Sequence, residues 1–266
     1  MDKNTQYRKM DFSRAPAFQI LFGLGKTTMR PGGMELTRWM LKELQIEGKD
    51  QVVELAPGRG ATTRMVLGFS PQSYTAVERD SMSQRSVQRI LGQGELGQCV
   101  KGTAQATGLD DSCASVVFGE AMLTMQARAA KLEIAKEAFR LLAPGGRYGL
   151  HEICLKEDTP AQVKTEMESA LKEALRVGAR PLALDEWQEL LEEAGFSIQK
   201  SHEAPMLLME PKRMIQDEGL WGVLRFVTRV IAKPAARRRV WKIRKTFKDY
   251  GDHISAAVLI AVRTKA

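Results

Sequence analysis

The 266-residue chain has only three cysteines and lacks a long apolar run. Cys99, Cys113 and Cys154 are widely spaced and form no CxxC pair, so the sequence predicts neither a disulfide framework nor a metal site. No uninterrupted apolar stretch reaches the roughly 18 residues that a membrane-spanning helix needs. The first residues contain no apolar signal-peptide core. We therefore expect a globular protein of the cytoplasm.

Basic residues outnumber acidic residues, and a single segment accounts for the excess. The chain has 40 Lys and Arg against 32 Asp and Glu, a formal charge of +8. Residues 219–248 contain ten cations and no Asp or Glu, whereas the rest of the chain carries 30 cations against 32 anions. Any inference from charge to a membrane or a nucleic acid therefore concerns this segment alone.

Hydrophobic periodicity predicts short strands that alternate with helices. The strands are predicted at residues 51–56, 73–77, 99–101, 114–118, 147–155, 196–204 and 254–262. Repeated strand, turn and helix units favour a parallel sheet with helices on both faces, an α/β fold. We expect one domain, in which residues 1–45 form an N-terminal arm or lid helices. Residues 46–205 and 251–266 form the core, and 206–250 form a basic helical insertion.

The first predicted strand ends in a turn that contains two glycines, Glu54-Leu55-Ala56-Pro57-Gly58-Arg59-Gly60. Its spacing does not fit the GxGxxG dinucleotide pattern. Gly58 and Gly60 allow a tight turn and close approach of a ligand, and the following helix start offers unpaired N–H groups. The turn resembles motif I of the class I S-adenosylmethionine-dependent methyltransferases, E/D-x-G-x-G-x-G, with Ala56 in place of the first glycine.

Further segments extend this resemblance over roughly residues 46–155. Glu78 ends the second strand, where the family places a carboxylate that accepts hydrogen bonds from the ribose hydroxyls, and Asp80 is the second choice. Residues 102–106, Gly-Thr-Ala-Gln-Ala, are similar to the family's G-D-A segment, with Thr103 in place of the acid. Residues 141–147, Leu-Leu-Ala-Pro-Gly-Gly-Arg, match the L-K-P-G-G turn before the fifth strand.

The resemblance, in the style of the type 11 methyltransferases, implies a Rossmann-like, seven-stranded, mostly parallel sheet with an antiparallel last strand. It implies S-adenosyl-L-methionine as the cofactor and S-adenosylhomocysteine as its product. The cofactor-binding residues that it predicts are Glu54, Ala56, Pro57, Gly58, Gly60, Glu78, Arg79, Thr103, Ala104, Gln105 and Glu120.

Methyl transfer from a sulfonium chiefly requires alignment of the reactants, and a base only if the acceptor must lose a proton. Glu120, His151 and Glu152 lie at the predicted carboxyl ends of the fourth and fifth strands and are the catalytic candidates, with Glu120 preferred. Since successive strand residues face opposite sides, His151 and Glu152 are not both expected in the cleft. Arg30 in the arm is a candidate partner for the methionine carboxylate.

The expected activity is methylation of a small molecule, hydrophobic or anionic, whose acceptor atom the fold does not specify. One alternative is an RNA methyltransferase that uses residues 219–248, and another is a non-catalytic cofactor-binding or membrane-surface protein. In this segment Leu220, Leu224, Val227 and Ile231 form one helical stripe. The stripe either packs on the core with the basic face in solvent or rests on an anionic membrane. Nucleic acid is less favoured, because residues 233–248 offer few aromatic side chains for base stacking.

Overall fold

The computed structural model describes residues 11–12, 14–92, 94, 96–206, 208 and 210–264, so the arm prediction for residues 1–10 lies outside the described part. The strands are β1 (Gln51–Leu55), β2 (Ser73–Glu78), β3 (Gly97–Lys101), β4 (Ala114–Glu120), β5 (Leu142–Leu155), β6 (Leu182–Ala183), β7 (Phe196–Pro205) and β8 (Ile254–Arg263). The helices are α1 (Ala17–Leu24), α2 (Gly33–Glu43), α3 (Ala61–Leu67), α4 (Ser81–Leu91), α5 (Arg128–Leu141), α6 (Ala161–Leu175), α7 (Leu184–Glu193), α8 (Pro211–Ile231) and α9 (Pro234–Asp249).

The strands form a single sheet in the order β3-β2-β1-β4-β5-β8-β7, and the two-residue β6 pairs with β5. Strands β1 to β5 run parallel, and β8 lies antiparallel between β5 and β7. The predicted Rossmann-like sheet with an antiparallel last strand is thus confirmed, with β6 as an addition. The strand order reverses between β1 and β4, and ligands of open α/β sheets bind at the carboxyl ends of the strands at such a point.

Helices cover both faces of this sheet, which explains why its central strands are apolar throughout. Val116, Val117 and Phe118 of β4 point alternately to the two faces, and all three are buried. One face packs against α2, α3 and α4, and the other against α5 and α7. Helix α2, although it belongs to the predicted arm, therefore packs on the sheet.

A third apolar cluster joins helices α1, α6, α8 and α9 beside the ends of β5 and β8, and we call these four helices the helical cap. Leu24, Leu171, Phe226 and Ile243 are the buried contributions of the four helices to this cluster. The basic insertion is thus attached to the N-terminal helix and to α6 rather than to the sheet alone. Within the described residues, no helix combines the length and apolarity needed to cross a bilayer.

Two buried tyrosines of the sheet provide a matched test of the core. Tyr148 stacks on Phe196, and its hydroxyl has no hydrogen-bond partner among the described residues. The hydroxyl of Tyr74 is hydrogen-bonded to Glu54 and lies 2.9 Å from Thr63 Oγ1. An unsatisfied buried hydroxyl costs stability, whereas a satisfied one contributes to it.

We therefore expect Tyr148→Phe to raise the free energy of unfolding by about 1 kcal/mol and Tyr74→Phe to lower it by about 1–3 kcal/mol. Urea unfolding monitored by circular dichroism measures both changes. Equal destabilisation by the two substitutions would contradict this difference in hydrogen bonding.

Candidate functional site

The turn after β1 is tight because three of its residues adopt positive φ. Ala56, Gly58 and Gly60 have φ of +55°, +57° and +76°. A Cβ on Gly60 would lie 2.5 Å from Ile90 of α4, so only glycine fits there. A Cβ on Gly58 would lie 3.6 Å from the Phe22 ring, an ordinary van der Waals distance, and both residues line the cleft described below. Ala56 adopts at some strain the conformation that the missing motif glycine would adopt freely.

The two acids that follow β2 have different partners. Glu78 Oε2 accepts a hydrogen bond from Gly58 N at 3.1 Å, and its Oε1 accepts one from Asp80 N at 2.8 Å. The Asp80 carboxylate caps α4 by accepting from the backbone of Met82 and Ser83. Burial raises the pKa of Glu78, although the backbone N–H donors oppose the shift. Glu78 thus joins the end of β2 to the glycine turn.

A cleft of about 350 Å³ opens at the carboxyl ends of β1, β2 and β4, within the ~300–1,000 Å³ usual for small-molecule sites. All of the predicted cofactor residues line it except Gly60. Thr103 is exposed, and its hydroxyl accepts a hydrogen bond from Ala106 N at 3.3 Å. The N-terminal segment contributes another wall of the cleft through Phe18 and Phe22 of α1 and through residues 27–30.

Glu120 projects into this cleft at the end of β4 and has donors from several elements. His151, its register partner on β5, donates from Nδ1 to Glu120 Oε2 at 2.7 Å. Thr37 of α2 donates to the same oxygen, and Thr62 of α3 donates to Oε1. The Arg30 guanidinium lies 4.0 Å from Oε1. Burial by itself would raise the pKa of Glu120, but hydrogen bonding to His151 and the nearby positive charge of Arg30 lower it to about 2.

His151 stands behind Glu120 and does not line the cleft. The ring is completely buried, and its Nε2 accepts a hydrogen bond from Gly32 N at 3.2 Å. Because Nε2 is an acceptor, the proton of the neutral ring lies on Nδ1, where it is donated to Glu120. Both ring nitrogens are therefore engaged by the protein, and His151 orients the carboxylate.

Glu152, the third catalytic candidate, faces the other side of the sheet. Its carboxylate accepts hydrogen bonds from the backbone N–H groups of Met122, Leu123 and Thr124 and from the Thr124 hydroxyl, at 2.6–3.1 Å. The structure does not bring Glu152 to the cleft, in accord with the alternation of strand side chains. It fixes the loop after β4, whose Met122 lines the cleft.

The wall formed by the N-terminal segment is fastened at two points. The Arg59 guanidinium lies over the Phe22 ring, 5.2 Å from its centroid. Glu218 of α8 accepts hydrogen bonds from Thr27 N at 2.8 Å and Thr28 N at 3.2 Å. The structure places Arg30 in the cleft wall, where its Nη2 donates to Thr62 at 2.9 Å.

Sequence reasoning missed Thr37, Thr62 and Glu218. Thr62 had a usable signal, because it lies in the first turn of the helix that follows the glycine turn. Thr37 lies inside an amphipathic helix, where a threonine has no special meaning. Glu218 is an acid directly before a segment of ten cations, a contrast that marks it as a residue with a separate role.

The comparisons with known proteins reveal distant relatives. No protein-family model matches the chain. An uncharacterised protein of Haemophilus influenzae is 28% identical over 236 residues, which cover 86% of this chain and 91% of that protein.

Solved structures share the whole fold at low sequence identity. A proposed sarcosine dimethylglycine methyltransferase of Galdieria sulphuraria is 11% identical with a TM-score of 0.73, and 99% of each chain is covered. The [4+2]-cyclase SpnF is 14% identical with a TM-score of 0.70, covering 99% of this chain and 97% of its own. A geranyl diphosphate C-methyltransferase of Streptomyces coelicolor is 13% identical with a TM-score of 0.61, covering 86% and 77%. The chain therefore has the fold of the class I S-adenosylmethionine-dependent methyltransferases.

Glu54, at the end of β1, gives the site a distinct dependence on pH. Its Oε2 accepts from Thr63 Oγ1 at 2.9 Å and from the Tyr74 hydroxyl. Burial, which outweighs these hydrogen bonds, raises the pKa of Glu54 to about 7. Between its ordinary pKa and about 7 the folded protein holds a proton that the unfolded chain releases. Stability therefore falls as pH rises through this window.

We expect Glu54→Gln to remove part of this fall, so that the variant is more stable than the wild type at pH 8 and closer to it at pH 5. Each pKa unit corresponds to about 1.4 kcal/mol, which predicts a difference of a few kcal/mol between the two pH values. Urea unfolding of both proteins at pH 5 and pH 8 measures it. Parallel pH dependences for wild type and variant would show that Glu54 titrates normally.

Proposed function

We propose that the protein is an S-adenosylmethionine-dependent methyltransferase that acts on a small molecule. The observation that carries this proposal is the junction of Glu78 with the backbone of Gly58, in the lining of a cleft at the point where the strand order reverses. Such a junction offers a carboxylate to ribose hydroxyls next to a turn that a ligand can approach closely.

The residues of the cleft fit the cofactor in both charge and shape. Glu78 would accept hydrogen bonds from the ribose hydroxyls, and the backbone near Ala104 would contact the adenine. Glu120 supplies a fixed negative charge for the cationic methionine part, and Arg30 supplies a positive charge for its carboxylate. When bound, the cofactor would supply a methyl group on a sulfonium. Its leaving group is the neutral thioether S-adenosylhomocysteine, which departs readily.

The protein's own contribution to the reaction is alignment and a fixed charge. A carboxylate whose pKa is about 2 takes up almost no protons at neutral pH, so Glu120 is a poor general base. His151 has both nitrogens engaged within the protein and acts as a positioning residue. We infer that the acceptor is nucleophilic without help from either residue and is held in line with the methyl group.

Apolar side chains in the lining of the cleft suggest an acceptor with apolar parts. Among them are Phe18, Phe22, Met29 and Met125. Incubation of a cell extract with the protein and methyl-labelled cofactor, followed by separation of the labelled products, would identify the acceptor. Label in RNA would favour the alternative of RNA methylation. Cofactor binding with no labelled product would favour the alternative of a protein that binds the cofactor without methyl transfer. The fold is not restricted to methyl transfer, since SpnF is a cyclase.

We expect the wild-type protein to bind S-adenosylhomocysteine and Glu78→Ala to weaken this binding at least about tenfold, since hydrogen bonds to a charged group contribute roughly 1.5–3 kcal/mol. Isothermal titration calorimetry measures both dissociation constants. Glu133→Ala, which removes an exposed acid of α5, is the matched control and should bind like the wild type.

Failure of the folded wild type to bind either S-adenosylmethionine or its demethylated product would refute the proposed function. Equal affinity in Glu78→Ala and the control would remove only the ribose role of Glu78.

A further inference from the structure

The outer half of α8 carries large apolar side chains on a face that is turned away from the protein. Gly219, with φ of +70°, breaks the helix directly after Glu218. Beyond this kink, apolar residues recur at helical spacing and form one face. Two of them, Leu220 and Trp221, are 71% and 83% exposed. The exposed side chains are Leu220, Trp221, Leu224, Val227 and Ile231, and we call them the α8 stripe.

The opposite face of the same helix is also apolar and is fully used. Phe226 is buried in the helical cap, and Val223 and Val230 pack against the same cluster. A helix with apolar side chains on both faces belongs in an interior or at an apolar surface. Within the described residues only the inner face is covered, and large exposed apolar patches on soluble proteins mark sites of interaction.

Helix α9, which follows the α8 stripe along the chain, combines an exposed tryptophan with exposed positive charge. Trp241 of α9 is 65% exposed, and it lies in a helix rich in cations. The exposed cations of α9 are Arg237, Arg238, Arg244, Lys245 and Lys248. Apolar and tryptophan side chains bordered by Lys and Arg are typical of helices that lie in the interface of an anionic membrane.

We propose that the α8 stripe inserts into the surface of a membrane that contains anionic lipids, with the exposed cations of α9 against the headgroups. A second copy of the chain fits less well, because two segments with ten cations each would face one another. An RNA partner would neutralise the cations but would leave the apolar side chains in water.

The position of the stripe connects the docked surface to the cleft. Glu218 lies two residues before Leu220 and holds Thr27 and Thr28, which line the cleft. Docking would thus keep the N-terminal wall of the cleft near the membrane, where apolar acceptors dissolve. The docking itself does not depend on the proposed methyltransferase activity, so the two can fail separately.

Flotation with vesicles of phosphatidylcholine, alone or with phosphatidylglycerol, tests the proposal on the full-length protein. We expect binding to the anionic vesicles to be at least about tenfold stronger than to the neutral ones and to weaken with added salt. Brominated lipids should quench the emission of Trp221, and Trp221→Phe should remove that part of the quenching.

Two pairs of variants separate apolar insertion from attraction of charge. Leu220→Ser with Leu224→Ser should lower vesicle binding about tenfold or more, because buried apolar area is lost. The double variant Phe69→Ser, Leu96→Ser removes two exposed apolar residues elsewhere and should bind like the wild type.

The charge of α9 is tested by a second pair of variants. The double variant Arg237→Glu, Arg238→Glu should abolish vesicle binding. The double variant Arg85→Glu, Lys136→Glu makes the same change in net charge elsewhere and should have a much smaller effect. Circular dichroism checks that every variant is folded.

The absence of binding to anionic vesicles would overturn the proposal, as would full binding by the Leu220 and Leu224 variant. A dimer in sedimentation velocity that this variant dissociates would assign the stripe to a second copy instead. Binding of an RNA oligomer that anionic vesicles do not displace would assign the surface to RNA.

Discussion

The buried negative charge of Glu120 is the constraint on which the site depends. A carboxylate removed from water is tolerated only when charges and donors compensate it, and the cost of leaving it uncompensated is several kcal/mol. Here the donors come from β5 through His151, from α2 through Thr37 and from α3 through Thr62. One donor comes from the neighbouring strand and two come from helices that pack on one face of the sheet, so their junction at one carboxylate fixes the carboxyl end of β4.

The N-terminal wall of the cleft depends on a second acid, Glu218, which reaches it from α8. Lys26, beside the hydrogen-bonded Thr27 and Thr28, is buried with its ammonium 3.7 Å from the same carboxylate. Burial lowers the pKa of Lys26, and the charge of Glu218 opposes this shift. The basic insertion is therefore part of the site's construction, because without α8 the N–H groups of Thr27 and Thr28 would lose their acceptor.

The order of strands and helices could be predicted because each element has its own hydrophobic periodicity and is bounded by its own turn residues. Gly58, Gly60 and Glu78 could also be predicted from the sequence. Each lies at the end of a strand or in the turn between a strand and a helix. The partners of Glu120 could not, because Thr37 lies 83 residues away and nothing local marks it. The orientation of α8 stayed open because Phe226 and Leu224 are equally apolar, and periodicity does not say which face is inside.

Two of the carboxylates that line the cleft, Glu54 of β1 and Glu120 of β4, lie on neighbouring strands. Their environments move their pKa values apart. Glu120 is surrounded by donors and a guanidinium and stays charged, whereas burial, together with the charge of Glu120, raises the pKa of Glu54 to about 7. Separated values of this kind assign distinct roles to two acids in one site. Below about pH 7 Glu120 is therefore the charged member of this pair. Ionisation of Glu54 at higher pH adds a second negative charge beside Tyr74 and Thr63, which changes the field in the cleft without moving any element of the fold.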